Sequence, residues 1–131
     1  MVPKSITEKN NLTKYLLYQF PAILWIVAIF IQSSIPDLSA PDLGFKTQDK
    51  FAHLIEYAIL AFLLRRFFIF NRRIDWQKKW YRNTLIVGCC YAVLDEIHQA
   101  FVPGRSAEVY DVLADIFGVL IVINIYKFLK K

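Results

Sequence analysis

Hydrophobic residues run along this chain in four long segments separated by polar connections. The first, YLLYQFPAILWIVAIFIQSSIP at residues 15–36, contains 22 consecutive residues without a formal charge. The others, FAHLIEYAILAFLL, TLIVGCCYAVL and VLADIFGVLIVINIY, are shorter or interrupted by polar side chains. A helix of about 20 apolar residues crosses a hydrocarbon core of about 30 Å. The pattern predicts four transmembrane helices at roughly 15–36, 49–70, 83–101 and 109–129.

The connections between the segments are short enough for neighbouring helices to be antiparallel. Pro36, Pro41 and Gly44 mark the first connection, residues 71–82 form the second, and Pro103-Gly104 marks the third. In lipid the segments must be helical, because open strands leave backbone groups unpaired. We therefore predict one all-α membrane domain over residues 1–131, an antiparallel four-helix bundle. The alternative is a soluble protein in which these helices are buried. A cleaved signal peptide is disfavoured, because Pro41 directly follows the small-residue sequence Leu-Ser-Ala that could otherwise suit a cleavage site.

Charge is distributed unevenly between the two predicted sides of the membrane. Thirteen of the sixteen Lys and Arg residues lie near the amino terminus, in residues 65–82 or near the carboxyl terminus, whereas nine of the eleven acids lie on the other side. Because basic residues mark the cytoplasmic side, we predict that both termini are cytoplasmic, in a bacterial cytoplasmic membrane. The net charge of +5 is therefore a topology signal and does not indicate a nucleic-acid partner.

Polar side chains cluster at the predicted helix ends on the outer side. Asp49, His53 and Glu56 stand at i, i+4 and i+7, which places them on one helical stripe. The end of the third segment and the start of the fourth each carry polar residues four apart. Because the fold brings these three helix ends to one face, we expect a single extracytoplasmic site there. The candidate ligand-binding residues are Asp49, Lys50, His53, Glu56, Tyr57, Asp95, Glu96, Gln99, Arg105, Asp111 and Asp115.

Acids inside apolar segments need an explanation. Each costs about 2.5–3.5 kcal/mol on insertion scales, so a partner or a task is expected. Acids at the starts of the second and fourth segments can be helix caps or suit the helix macrodipole. Asp95 and Glu96 approach a helix C-terminus, where negative charge is unfavourable, and so they predict Arg105, Lys50 or a metal ion nearby. A purely structural buried network is the alternative to a functional site.

These residues resemble the motifs of the VanZ-like family of small bacterial membrane proteins. The resemblance covers roughly residues 30–125 and implies a protein of the cell envelope, linked in some members to glycopeptide (teicoplanin) susceptibility. It implies no reaction, and the family typically carries Asn where Asp115 stands. The matching motifs are DK-x-x-H-x-x-x-Y at residues 49–57, DE-x-x-Q followed by PGR at residues 95–105, and D-x-x-x-[D/N]-x-x-G at residues 111–118.

The first functional hypothesis is a non-enzymatic protein that binds a lipid-linked envelope precursor or a lipoglycopeptide at the outer leaflet. Arg105 and Lys50 would pair with its anionic group by charge-assisted hydrogen bonds. Because acids dominate the site, a divalent cation could bridge to the ligand, or the ligand could itself be cationic. The candidate metal ligands are Asp49, Asp95, Glu96 and Asp111. The oligomeric state is left open.

The second hypothesis is an intramembrane enzyme acting on a lipid substrate by acid–base or metal-assisted hydrolysis or transfer. His53 or Glu96 would be the general base, positioned by Asp111 or Asp115, and the candidate catalytic residues are His53, Glu96 and Asp111. The sequence has no HExxH motif and no nucleophile elbow, which favours the binding hypothesis. Proton-coupled transport is disfavoured because the polar groups lie on one side only.

Overall fold

The computed structural model describes residues 11–38 and 47–129, and over these ranges the fold is all-helical, as predicted. Pro41 and Gly44, two of the predicted turn markers, lie outside them. The predicted segments each correspond to a long helix, and a short helix lies in the second connection. The helices are α1 (Asn11–Ser33), α2 (Gln48–Ile69), α3 (Ile74–Lys78), α4 (Trp80–Gln99) and α5 (Val109–Phe128).

Two of these helices, α1 and α5, are long and apolar enough to cross a membrane by length and composition. Helices α2 and α4 have 22 and 20 residues but carry several charged side chains, so their transmembrane placement stays a prediction. Large apolar side chains on α1 and α5 point away from the bundle. They form an apolar surface that lipid would cover in a membrane. These exposed residues include Leu24, Val27, Leu113, Phe117 and Ile125.

The bundle is organised around α2. Its contacts with α5 are the most extensive, α4 packs against both, and α1 lies mainly along α2. Gly118 permits the close crossing of α5 over α2, because a Cβ at this position would overlap the backbone carbonyl of Leu54. The core between the helices contains Tyr57, Leu60, Ala61, Leu64, Ala92, Val119 and Ile123.

The turn between α4 and α5 meets the segment after α1 at two residues with left-handed backbone conformations. Gly104 has φ 74° and Asp37 has φ 53°. The missing side chain of Gly104 leaves room for the Asp37 carboxylate, which a Cβ would overlap. This contact brings the loop after α4 against the end of α1, and both segments line the cavities described below.

Candidate functional site

The starts of α2 and α5 meet at Lys50. Its Nζ lies 2.6 Å from Glu108 Oε2, 2.6 Å from Asp111 Oδ1 and 3.9 Å from Asp49 Oδ2. Asp49 and Asp111 lie in the first turns of their helices, where negative charge suits the macrodipole. Lys50 is thus already engaged by carboxylates of the protein, and it is not the free cation that the sequence suggested for an anionic ligand.

One turn deeper, His53 pairs with Asp115. The distance between His53 Nδ1 and Asp115 Oδ1 is 3.0 Å, and the Asp115 side chain is fully buried. The pair follows from helical spacing. Asp115 lies one turn after Asp111 on the same face of α5, and His53 lies one turn after Lys50 on the same face of α2. A carboxylate on Nδ1 fixes the imidazole ring and leaves Nε2 as the nitrogen for a ligand, a metal or a proton.

The acids at the end of α4 are buried and held by neutral donors. Asp95 Oδ2 accepts a hydrogen bond of 3.1 Å from Gln99 Nε2, and Glu96 Oε1 accepts one from the backbone N–H of Glu108. Among the residues that the structure describes, no salt bridge joins Asp95 or Glu96 to a lysine or arginine. A direct pairing with Arg105 or Lys50 is therefore not observed, and the alternative of a metal ion nearby stays a prediction. Each carboxylate thus accepts one hydrogen bond, within α4 or from the loop before α5, while its other oxygen, Asp95 Oδ1 or Glu96 Oε2, has no partner in the described structure.

Arg105 instead connects the loop before α5 to the end of α1. Its Nη1 donates to the carbonyl of Leu38, and its Nη2 donates to the carbonyl of Gln32 over 3.5 Å. Gln32 lies in the last turn of α1, and Leu38 lies in the segment that follows the helix, so the guanidinium group joins both to the loop before α5. Arg105 therefore holds the loop before α5 against the end of α1, and its guanidinium group is hydrogen-bonded to backbone oxygens.

Two adjoining cavities lie between these polar residues and the end of α1. The larger, about 610 Å³, has an apolar wall formed by Ala28, Ile31, Ile35, Leu38 and Ala52. Its polar wall consists of Gln32, Ser33, Asp49, His53, Glu56, Gln99 and Arg105. The smaller, about 330 Å³, is lined by Asp37, Leu38, Gln48, Asp49, His53, Gln99, Gly104, Arg105, Ser106 and Asp111. Asp49, His53, Gln99 and Arg105 line both cavities, so one set of polar groups serves the two.

The remaining predicted site residues lie around the cavities. Glu56 lines the larger cavity, and its backbone carbonyl accepts a 3.1 Å hydrogen bond from Trp25 Nε1 of α1. Tyr57 is fully buried in the core against Tyr91, with a ring separation of 6.2 Å, and lines neither cavity. The structure therefore divides the predicted set into residues that line the two cavities and supporting residues that do not, of which all but the half-buried Lys50 are buried. The supporting residues are Lys50, Tyr57, Asp95, Glu96 and Asp115.

Asp49, His53 and Asp111 could together hold a metal ion. One ligand atom from each lies within 4.8 Å of the others. Asp49 and Asp111 were predicted metal ligands, whereas His53 takes the place predicted for Asp95 and Glu96, which are not part of this group in the described structure. Two carboxylates and an imidazole suit a divalent cation such as Zn²⁺ or Mn²⁺.

The sequence interpretation missed the contribution of α1 to the site. Ser34 Oγ lies 2.9 Å from His98 Nε2, and Phe30 stacks on the same imidazole at 4.6 Å between ring centroids. Gln32 and Ser33 line the larger cavity. The polar sequence QSSIP at the end of an apolar segment was the available signal, since it lies at the predicted outer end beside the acids.

Comparison with known proteins identifies one relationship. A family model described as VanZ/LLP1 matches residues 3–130, nearly the whole chain. No curated protein and no solved structure matches this chain.

Proposed function

The chain belongs to the VanZ/LLP1 family, and we propose that it is a multi-pass protein of the bacterial cytoplasmic membrane that binds a lipid-linked or lipidated molecule. The observation that carries this proposal is the larger cavity, which has an apolar wall mostly from α1 and the segment after it, and a polar wall from α2, α4, Arg105 and the last residues of α1. Its volume of about 610 Å³ lies within the ~300–1,000 Å³ range of small-molecule sites. A ligand with a hydrocarbon chain and a polar head would match both walls.

The charges around the cavities favour an anionic head group bound through a divalent cation. Lys50 is paired with Glu108 and Asp111, and the guanidinium of Arg105 donates to backbone carbonyls. Among the described cavity-lining residues, the basic groups are therefore already engaged apart from the Nε–H of Arg105. A cation held by Asp49, His53 and Asp111 would supply the missing positive charge and bridge to phosphate oxygens.

The proposed orientation places the cavities on the outer side of the membrane. Helix α2 begins at the cavities and ends beside Arg65 and Arg66, and the basic connection of residues 71–82 follows at that far end. With four transmembrane helices and both termini cytoplasmic, the far end would face the anionic inner leaflet. The ligand would then be a lipid-linked envelope precursor or a lipoglycopeptide such as teicoplanin, consistent with the susceptibility linked to some members of the family.

Binding to a defined probe tests the proposal. Full-length protein in nanodiscs is titrated with a polyprenyl-diphosphate-linked precursor, with Mn²⁺ or with a chelator. We expect D49N and D111N each to weaken binding at least about tenfold in Mn²⁺, a loss of ~1.4 kcal/mol. The matched control D75N removes an exposed acid from α3 and should bind like the wild type. Equal binding by all variants would contradict the proposed site, and tighter binding of a cationic lipid would show that the head group has the opposite charge.

A second experiment addresses the role in cells. Teicoplanin susceptibility and membrane abundance are measured together for E56Q, R105A and D75N. The proposal predicts normal abundance of E56Q with a changed phenotype, because Glu56 lines the cavity and its bond to Trp25 uses the backbone carbonyl, which the substitution keeps. If the site variants change susceptibility only in proportion to their abundance, the polar residues have a structural role.

The contact between His53 and Asp115 favours catalysis as a second candidate function. A histidine that lines a cavity and donates Nδ1–H to a buried carboxylate can accept a proton at Nε2. Of the three candidate catalytic residues, His53 is favoured, since Glu96 is hydrogen-bonded to the backbone and Asp111 pairs with Lys50. Chromatography of the precursor after incubation measures turnover. Products formed by the wild type would establish an enzyme, and their loss in H53Q would assign His53 to the reaction.

A further inference from the structure

A basic cavity lies at the opposite end of the bundle from the candidate site. It has a volume of about 310 Å³ and lies between the first turns of α1 and the connection that follows α2. Three basic side chains and three amides contribute to its lining, and none of the described residues that line it is acidic. The lining residues are Asn11, Lys14, Tyr15, Gln19, Phe70, Asn71, Arg72 and Arg73.

The wall from α1 is shaped by a wide turn. Residues Tyr15–Gln19 form a π-helical turn just before Pro21. Because proline has no N–H, the carbonyl of Leu17 loses its usual helical partner, and Arg66 Nη2 of α2 donates to it over 3.2 Å. Tyr18 also stacks on Phe70 at 3.9 Å between ring centroids. These contacts hold the first turns of α1 against the end of α2.

The opposite wall is held by the Asn71 side chain and backbone. Asn71 Oδ1 accepts a 3.0 Å hydrogen bond from the Arg73 N–H, and the Asn71 carbonyl accepts one of 2.6 Å from Gln77 Nε2. The loop therefore has a defined shape that presents Arg72 and Arg73 opposite Lys14. Both walls are ordered by the protein's own contacts, so the basic groups converge without a ligand having to fold the loop.

A separate apolar groove of about 460 Å³ lies further along the bundle, and its lining includes near neighbours of the residues that line the basic cavity. One stripe of α1 contributes to both. Its residues Tyr15 and Gln19 line the basic cavity, and the next residues on the stripe, Ala22 and Ile26, line the groove. The Arg73 guanidinium lies 5.3 Å from the ring of Trp76, another groove residue. The groove is lined by Ala22, Ile23, Ile26, Leu64, Phe67, Phe68, Trp76, Asn83, Ile86 and Val87.

We propose that this composite site binds an anionic phospholipid, with its phosphate at Lys14, Arg72 and Arg73 and one acyl chain in the apolar groove. Charge complementarity selects the head group, because the cavity offers three cations and amide donors to phosphate oxygens. The apolar groove selects a lipid over a free anion, since burying a chain there removes apolar surface from water. The site is separate from the outer cavities and does not depend on the ligand proposed for them.

Lipid retention tests this proposal on the full chain. The protein is reconstituted in vesicles containing equal amounts of dioleoyl phosphatidylglycerol and dioleoyl phosphatidylcholine, extracted in mild detergent, and its retained lipid is quantified by mass spectrometry. We expect phosphatidylglycerol to be enriched, and the enrichment to fall roughly tenfold or more in K14Q/R72Q/R73Q. The matched control K78Q/K79Q/R82Q removes the same charge from exposed positions that do not line the cavity and should retain the enrichment.

Two further arms distinguish a lipid site from general attraction to anionic membranes and from a free-phosphate site. I86W fills the groove from an exposed position, and L24W places the same side chain on an exposed part of α1 outside it. The proposal predicts that I86W lowers retention and L24W does not. An equal loss in both charge variants would overturn it in favour of general membrane attraction. Full displacement of the lipid by inorganic phosphate, with no effect of I86W, would overturn it in favour of a free-phosphate site.

Discussion

Replacing Gly118 by alanine should destabilise the crossing of α5 over α2. A Cβ at this position would overlap the Leu54 carbonyl oxygen and lie 3.1 Å from the Ala58 nitrogen. Both are backbone atoms of α2, so no side-chain rotation relieves the overlap and the helices must separate. Gly88 provides the matched control, because a Cβ there meets only the Val119 side chain, with Cγ2 at 2.8 Å.

The expected magnitude follows from two opposing effects. Alanine gains about 1 kcal/mol of helix propensity over glycine at either position. Overpacking costs about 1–3 kcal/mol and occasionally more. Because the atoms next to Gly118 belong to rigid backbone, we expect the overpacking cost of alanine there to lie at or above the upper end of this range. We therefore expect G118A to lose about 2 kcal/mol of unfolding free energy and G88A to change by less than about 1 kcal/mol. G118A should also weaken ligand binding, since α5 carries Asp111 and Asp115, the partners of Lys50 and His53.

The assay is SDS titration of the purified protein in mild-detergent micelles, with helix content followed by circular dichroism. Wild type, G88A and G118A are compared under identical micelle composition. A G118A variant as stable as the wild type, or no less stable than G88A, would refute the close backbone crossing. It would also remove the reason for the relative placement of the polar stripes on α2 and α5.

Three further predictions concern the site and its orientation. D115N should retain most stability, because an amide oxygen can still accept the His53 hydrogen bond, whereas D115A should lose about 1 kcal/mol in the same titration; equal losses would argue against this bond. R105A should increase protease cleavage of the loop between α4 and α5, because it removes both bonds to α1, and unchanged cleavage would contradict that tether. In a background lacking both native cysteines, S106C should react with an impermeant thiol reagent on intact cells, and labelling only after lysis would invert the proposed topology.

Local patterns were sufficient to predict where the helices lie. The predicted segment 49–70 corresponds to Gln48–Ile69, and 109–129 corresponds to Val109–Phe128. Continuous apolar runs bounded by Pro, Gly and charged residues define these elements, and neither signal requires knowledge of distant residues. The short helix Ile74–Lys78 was not predicted, because five residues are too few for helical periodicity to be visible.

The pairing of the polar residues was harder to predict. Helical spacing correctly placed His53 and Asp49 on one stripe of α2. It also placed Asp115 and Asp111 on one stripe of α5, but it could not specify which residues of the two stripes contact each other. Lys50 was expected to be available to a ligand, whereas the structure pairs it with Glu108 in the loop before α5. Such pairings depend on the rotation and offset of two packed helices, which side-chain spacing along one helix does not contain.

The amino-acid sequence by itself determined the helical segments, the separation of acidic and basic ends and the membership of most polar residues in one cluster, since these follow from hydrophobicity, periodicity and charge along the chain. Only the tertiary structure decided that Arg105 binds the end of α1 and that Asp95 and Glu96 are held by an amide side chain and a backbone N–H. It also decided that α1 and the segment after it supply most of the apolar wall of the cavity. The physical reason is that a long side chain binds whichever unsatisfied group the packing brings within reach, and helix packing sets those distances.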